Sequence, residues 1–515
     1  MIRMTTSVAG WMLCLSLLSF GTAWGQEDVE WQESDVAEWL EPFEQEGETH
    51  FGTADAPVET DRPMESPDSE SLPKPPGDDK AGETPVMTQP PQSVKKGIWE
   101  RDRFLGEVLG GRTILRKRGI RYRGRVTQFF FGIQGGVEPP VNPALASAPG
   151  FGSLGIQGGN QFEYTGNSRH DFLVDLDQFG GLPHSKFVVT LENLWGRFGN
   201  VSFDSGGSTP AVFNAVMPVD PSASGTLYVT NFMVAQPLSK QFVVTVGKTR
   251  LVGVADNNIF AGGDGSDQFV NQTFCMNPLF VPQLPFSTFA VGAVALPEWG
   301  SAALTVVDPS DRTFEFMDLG SLYNKGVMLF PQVKVKTRFF DLPGQQHFGG
   351  FYKHVELLDI RFVPLPPSYP LPPDPSGAPQ FQTHHNSYAI IYGFDQYVTT
   401  YGPANARGHT PGWGVFGRGG IADGATGNPA FSAWHASAGI GGESPIRTRQ
   451  DKGDRFGLGY GYTATAKDWG PIPRALFGPR DAQVVEAYYA YMLTPAIVVT
   501  PDVQWVQGNL GGLSH

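Results

Sequence analysis

The sequence predicts an all-β fold, and three observations carry that prediction. Short segments alternate apolar with polar residues, and 64 glycines and 43 prolines interrupt them. Only 17% of the residues are charged while 12% are aromatic, a balance that suits turn-rich sheets better than helices. From Ile98 onward no apolar run reaches the about 18 residues of a membrane-spanning helix.

Taken in chain order, the first element is a leader. Arg3 precedes an apolar run from Val8 to Phe20, and the small residues Ala23 and Gly25 flank Trp24, so residues 1–25 read as a secretory signal peptide cleaved after Gly25. The run is shorter than the ~20 residues a spanning helix needs. Cys14 lies in this leader, which leaves Cys275 as the single cysteine of the mature chain and rules out an internal disulfide.

Residues 26–97 are a linker. They hold 19 acidic and 5 basic residues, a balance equal to the −14 of the whole chain, so the remainder is close to neutral. Stretches such as "DRPMESPDSESLPKPPGDDK" are too polar to bury a core and are expected to be mostly disordered. One short helix is expected over 35–46, where Val36, Trp39, Leu40 and Phe43 recur at helical spacing behind a cap at Asp35 with Glu38 three residues on. Such an acidic linker is expected to contact a periplasmic or cell-wall partner.

Residues 98–515 read as one domain of strands, with Pro-rich loops such as 363–380 and 217–225 between them. In a strand successive side chains point to opposite faces. At 119–131, "GIRYRGRVTQFFF", Arg121, Arg123 and Arg125 share one face and Ile120, Tyr122 and Val126 the other, with Phe129 and Phe131 on the arginine face. In "KFVVTLEN" Phe187, Val189 and Leu191 oppose Val188, Thr190 and Glu192; in "QVKVKTRFF" Val333, Val335 and Phe339 oppose Lys334, Lys336 and Arg338. In "RFGLGYGYT" Phe456, Leu458, Tyr460 and Tyr462 oppose three glycines. Two architectures share this pattern. A transmembrane antiparallel β-barrel turns the apolar face to lipid, whereas a secreted soluble β-sandwich, which would bind or cleave glycans, turns it inward.

The ordered motifs resemble the carbohydrate-selective porins of the OprB type. "LGEVLGGRTILRKRGIRYRGRVTQFFFGIQGG" is similar to that family's opening, with Gly110, Gly111, Arg112, Gly119, Gly135 and Gly136 at matching positions; a short helix there leads into the first strand. "VDLDQFGGLPHSKFVVTL", "GRFGNVS", "VVTVGKTRL" with Phe260, and "FVNQTFCMNP" follow in the family's order. "YGFDQYV", "GWGVFGRGG" and "EAYYAYMLTPAIVVTPDVQWVQ", with Glu486, Tyr488, Tyr489, Pro501, Asp502 and Gln504, continue the resemblance almost to residue 508. Two departures stand out: Val108 and Leu109 replace a tryptophan of the opening turn, and the chain stops at "GNLGGLSH" just after the Asp502 strand, so the barrel is expected to lack the usual final strand.

The resemblance implies an outer-membrane porin barrel of about 16 strands, a monomer or homotrimer, in which neutral sugars diffuse through a water-filled lumen. No catalytic residue, cofactor or metal is expected. In a barrel, charges facing lipid near the midplane cost about 2–4 kcal/mol each, so the ladders Arg121/Arg123/Arg125 and Lys334/Lys336/Arg338 are expected to line the pore. Asp175, Asp177, Glu192 and Asp395 are the acidic pore-lining candidates. A mixed arginine and carboxylate lining suits neutral hydroxyl-rich solutes, whereas a basic excess would make the pore anion-selective.

Other constellations carry less. "GGDGSD" at 262–267 is a single copy of a calcium-type turn that works only in stacked repeats, and reads as a plain loop. His384 and His385 are expected in a loop, with no zinc framework around them. Asp175 and Asp177 on one strand face would sit about 7 Å apart, a spacing compatible with a glycosidase pair. No serine elbow, phosphate loop or nucleic-acid signature occurs.

Overall fold

A computed structural model describes residues 111–135, 161–196, 226–251, 258–262, 265–266, 268–280, 283–316, 318–358, 383–402, 410–423, 432–450, 452–469 and 479–508. The leader 1–25, the linker 26–97 with its expected helix over 35–46, the loops 217–225 and 363–380, and half of 262–267 lie outside the described residues.

The described residues begin with α1 (Gly111–Lys117), and the chain turns at Gly119, whose φ of +71° disfavours any side chain. There follow β1 (Ile120–Ile133), β2 (Gln161–Asp175), β3 (Lys186–Gly196), β4 (Leu227–Ser239), β5 (Phe242–Arg250) and β6 (Ser287–Ala295). Next come β7 (Gly300–Val307), β8 (Gly326–Phe339), β9 (Leu342–Leu358), β10 (Thr383–Thr400), β11 (Gly412–Ala422) and β12 (Ser432–Glu443). The last four are β13 (Arg455–Thr465), β14 (Ala482–Thr494), β15 (Ile497–Val499) and β16 (Asp502–Gln507). Each strand pairs with the next in one antiparallel meander from β1 to β15, and β15 and β16 lie one after the other along β14.

Short turns join the strands at one end of the sheet and long loops at the other. In the two-residue β8–β9 hairpin Phe340 and Asp341 both have positive φ, as a turn matched to strand twist requires. No helix among the described residues is long and apolar enough to cross a membrane.

The side-chain distribution separates the two architectures that the alternation allows. Along β10 burial alternates residue by residue, but the exposed face is the apolar one: Tyr388, Ile390 and Tyr392 are exposed while Ser387 and Asp395 are buried. The same inversion holds elsewhere, with Val126, Phe130, Leu304, Leu458 and Val503 outward and Arg169, Glu192, His435 and Glu486 buried. A soluble sandwich would bury the first set and expose the second. Apolar residues outward and polar residues inward are what lipid outside and a polar interior select.

The interior is not polar throughout. Val188, Met233, Ala235 and Val243 form an apolar cluster inside β3–β5. A larger one joins Ala290, Val307, Met328, Phe330, Phe351, Ala389 and Ile391 of the wall to Leu279 and Phe280 of the β5–β6 connection.

Two expectations are corrected here. His384 and His385 are strand residues near the start of β10, not loop residues; His384 Nε2 lies 3.8 Å from Asp423 Oδ2, and the His385 ring sits 6.3 Å from that of His354, tilted by 37°. Asp177 is not on a strand: β2 ends at Asp175, and residues Leu176–Phe179 form a 3₁₀ turn. The Asp175 carboxylate caps that turn and pairs with Lys186 at 2.8 Å, while Asp177 Oδ2 accepts the His184 N–H at 2.7 Å. Both carboxylates are used by the turn, which removes the glycosidase pair.

A buried ion pair holds the turn between β12 and β13. Asp454 accepts two hydrogen bonds from Arg449, at 2.6 and 2.7 Å, and one each from the Met492 N–H and the Tyr489 hydroxyl. Burial works to raise the Asp454 pKa, but these donors outweigh it and hold the carboxyl below its ordinary value. Stability from a depressed carboxylate is present above the unfolded-state pKa and is lost as pH falls through the folded one. Asp454→Asn is therefore expected to cost about 2 kcal/mol, less than the 3–5 of a fully buried pair because Arg449 reaches water. The acid limb of detergent-solubilised unfolding, followed by tryptophan fluorescence, should flatten in the variant; an unchanged limb would show that the pair is not linked to unfolding.

Candidate channel constriction

The connection from β5 to β6 does not stay at the rim. It leaves β5 at Arg250, packs against the inner faces of β10, β11, β13 and β14, and returns at Ser287. Because one segment touches strands so distant in order, the sheet must curl around it.

The wall strands are built to receive it. Phe260, Phe269 and Phe274 of the segment pack with Tyr397, Phe416 and Tyr488 in one aromatic cluster, with ring centroids 4.7–6.3 Å apart. They fit because the wall opposite is glycine. A Cβ on Gly457 would lie 2.7 Å from Phe269, on Gly459 2.6 Å from Phe274, and on Gly461 2.5 Å from Thr273. The glycine face of "RFGLGYGYT" is thus an aromatic docking surface.

Polar contacts fix the same segment. Asp395 Oδ1 accepts the Ile259 N–H at 3.1 Å, and Oδ2 accepts Gln345 Nε2 at 2.6 Å. Glu486 Oε1 accepts the Val270 N–H at 2.6 Å and Oε2 the Asn271 N–H at 3.1 Å. Asn271 Nδ2 reaches Gln504 at 2.9 Å, and Arg418 donates to the carbonyls of Phe274 and Ala261. Asn271 also caps the one-turn helix Gln272–Cys275.

A second polar region covers the inner face of β1–β5. Register places Arg125 opposite Arg169, Thr127 opposite Asn167 and Arg123 opposite Asp171. Arg169 pairs with Asp171 at 3.0 Å; Asp171 accepts Thr190 Oγ1 at 2.7 Å, and Thr190 accepts Asn231 Nδ2 at 3.0 Å. Glu192 accepts Thr230 Oγ1 at 3.0 Å and lies 3.4 Å from Arg250 Nε. A bulge in β4 turns Thr230 and Asn231 both into this network. The result is a network of charged, hydroxyl and amide groups from β2 to β5, with Arg123 and Arg125 of β1 in register beside it.

The candidates from the sequence divide between these regions. Arg121, Arg123 and Arg125 share the inward face of β1, and the alternation continues through Phe129 and Phe131, which stack at 5.9 Å, while Phe130 points out. Lys334 sits opposite His347 and Lys336 opposite Gln345, on the face that carries Met328 and Phe330. Arg338 folds back at the rim and donates to the Asp341 carbonyl at 3.1 Å. Glu192 joins the β1–β5 network; Asp395 faces inward, but the segment and Gln345 occupy its oxygens; Asp175 and Asp177 belong to a turn.

Sequence reasoning missed Arg169, Asn231, Arg250 and Arg418. Arg418 had a signal, a lone arginine among glycines in "GWGVFGRGG"; Arg169 had none, since "GNSRHDFLVD" hides its alternation.

A family model described as carbohydrate-selective porin, OprB family, matches residues 159–509. The high-pH structure of Pseudomonas putida OprB is similar with a TM-score of 0.60 and 17% identity, covering 80% of this chain and 95% of that one. Its low-pH structure gives 0.44 and 13% over the same shares, and the outer membrane channel DcaP of Acinetobacter baumannii 0.40 and 11% over 76% and 91%. No curated protein matches the chain.

Proposed function

The chain belongs to the carbohydrate-selective porin family of the OprB type, and from that premise we propose how its residues treat the solute. Family membership makes it an outer-membrane porin for sugars. In our reading the solute moves down its gradient past the inner face of β1–β5, across from the wall that the inward segment covers. Selectivity then comes from lumen width and from the polar lining.

The observation that supports this most is the row of Arg123, Arg125, Arg169, Asp171, Thr190 and Asn231 on adjacent strands. Arg123 and Arg125 supply forked guanidinium donors and the part-exposed Asp171 carboxylate an acceptor, while the buried Arg169, Thr190 and Asn231 hold that arrangement in place. Hydroxyls of a neutral sugar exchange water for such groups with little loss. Lys334 and Lys336 are proposed as a second lining on the far wall. A second reading, anion selectivity, draws on the same row, because arginines outnumber carboxylates in it.

Liposome swelling separates the two. Neutral hexoses are expected to enter faster than organic or phosphate anions of similar size. Faster anion entry would overturn the sugar reading of the lining while leaving the fold untouched.

A further inference from the structure

We infer that Arg418, Asp395 and Glu486 are positioning residues that set the width of the channel by gripping the backbone of the inward segment. The inference rests on the channel reading above, but it concerns how the constriction is held rather than which solute passes.

All three side chains are buried, and they project from three different strands, β10, β11 and β14. Each is directed at main-chain groups of the segment. Asp395 takes the Ile259 N–H, Glu486 takes the N–H groups of Val270 and Asn271, and Arg418 holds the carbonyls of Ala261 and Phe274. Arg418 also lies within electrostatic reach of Asp395.

Backbone recognition has a specific consequence. A buried charge needs partners, and here the partners are amides that remain whatever side chains the segment carries. The arginine fork spans two carbonyls 13 residues apart in the segment, Ala261 and Phe274, so it fixes the fold of the segment as well as its distance from the wall. The aromatic cluster on the glycine face adds adhesion but is less directional. Width is therefore set by these wall groups acting on the segment's backbone, while its aromatic side chains seat it on the glycine face.

The test uses the full chain reconstituted in planar bilayers and liposomes, with Arg418→Met, Arg418→Lys and Glu486→Gln. Heat-modifiable gel mobility serves as the check that each barrel has assembled. Arg418→Met is expected to raise single-channel conductance and open-channel noise, and to admit oligosaccharides the wild type excludes. Arg418→Lys, which keeps the charge but reaches one carbonyl at a time, should fall between Met and wild type. Glu486→Gln preserves volume and supplies an assembled variant if the methionine protein does not fold; its noise should also rise.

Assembled Glu486→Gln and Arg418→Lys channels with wild-type conductance, noise and exclusion limit would overturn the inference. Because conductance is read with salt, the result stands whether or not the wild type prefers sugars. Failure of the sugar reading would appear instead in wild-type swelling.

Discussion

Replacing Arg123 and Arg125 together by glutamine is expected to shift the channel's ion preference toward cations. A monovalent ion passing ~5 Å from a unit charge in water gains or loses about 0.8 kcal/mol, roughly fourfold in occupancy. Both guanidinium groups share the inward face of β1 with Arg121, across from Arg169 and Asp171. Salt screening over ~10 Å at 0.1 M trims the effect without removing it for groups on one wall. The measurement is the reversal potential in a potassium chloride gradient, with the corresponding double lysine variant as control. Lysine should hold the wild-type ratio and still slow sugar entry, because it lacks the planar fork. An unchanged reversal potential in the glutamine protein would place these arginines away from the permeation path.

Filling the glycine face should have the second large effect. In Gly459→Val the new Cβ falls 2.6 Å from the Phe274 ring and the γ-methyls go beyond it, in a strand position whose neighbours Gly457 and Gly461 are equally close to the inward segment. Overpacking of this kind costs about 1–3 kcal/mol. The outward-facing residues of the same strand do not feel it, so Leu458→Val serves as a matched control. Thermal unfolding read by loss of heat-modifiable mobility should move to lower temperature for Gly459→Val and hardly at all for Leu458→Val. Equal transitions would mean that the segment is not pressed on this face.

The alternation of β1, β3, β8 and β13 was legible from residue order because a strand repeats every two residues regardless of its partners. For the same reason the two arginine and lysine ladders could be assigned to single faces before any contact was known. What alternation could not say was which face met water. Tyr388, Ile390 and Tyr392 are exposed while Asp395 is buried, and this follows from the segment and side chains packed on the inner face, not from β10 itself. Asp177 shows the opposite limit: two carboxylates two residues apart look like one strand face until the chain ends the strand between them.

By itself, then, the sequence determined the strand class, which residues share a face in β1, β3, β8 and β13, and the ordered motifs of the family. Tertiary structure alone decided that the β5–β6 connection enters the barrel and that Asp395 and Glu486 bind its backbone. It also decided that the glycines of β13 admit side chains from 185 to 188 positions earlier in the chain: Gly457 meets Phe269, Gly459 meets Phe274 and Gly461 meets Thr273. The physical reason is range. Alternation and turn chemistry act between near neighbours, whereas burial of a charge or a ring depends on partners that only the curl of the sheet brings together.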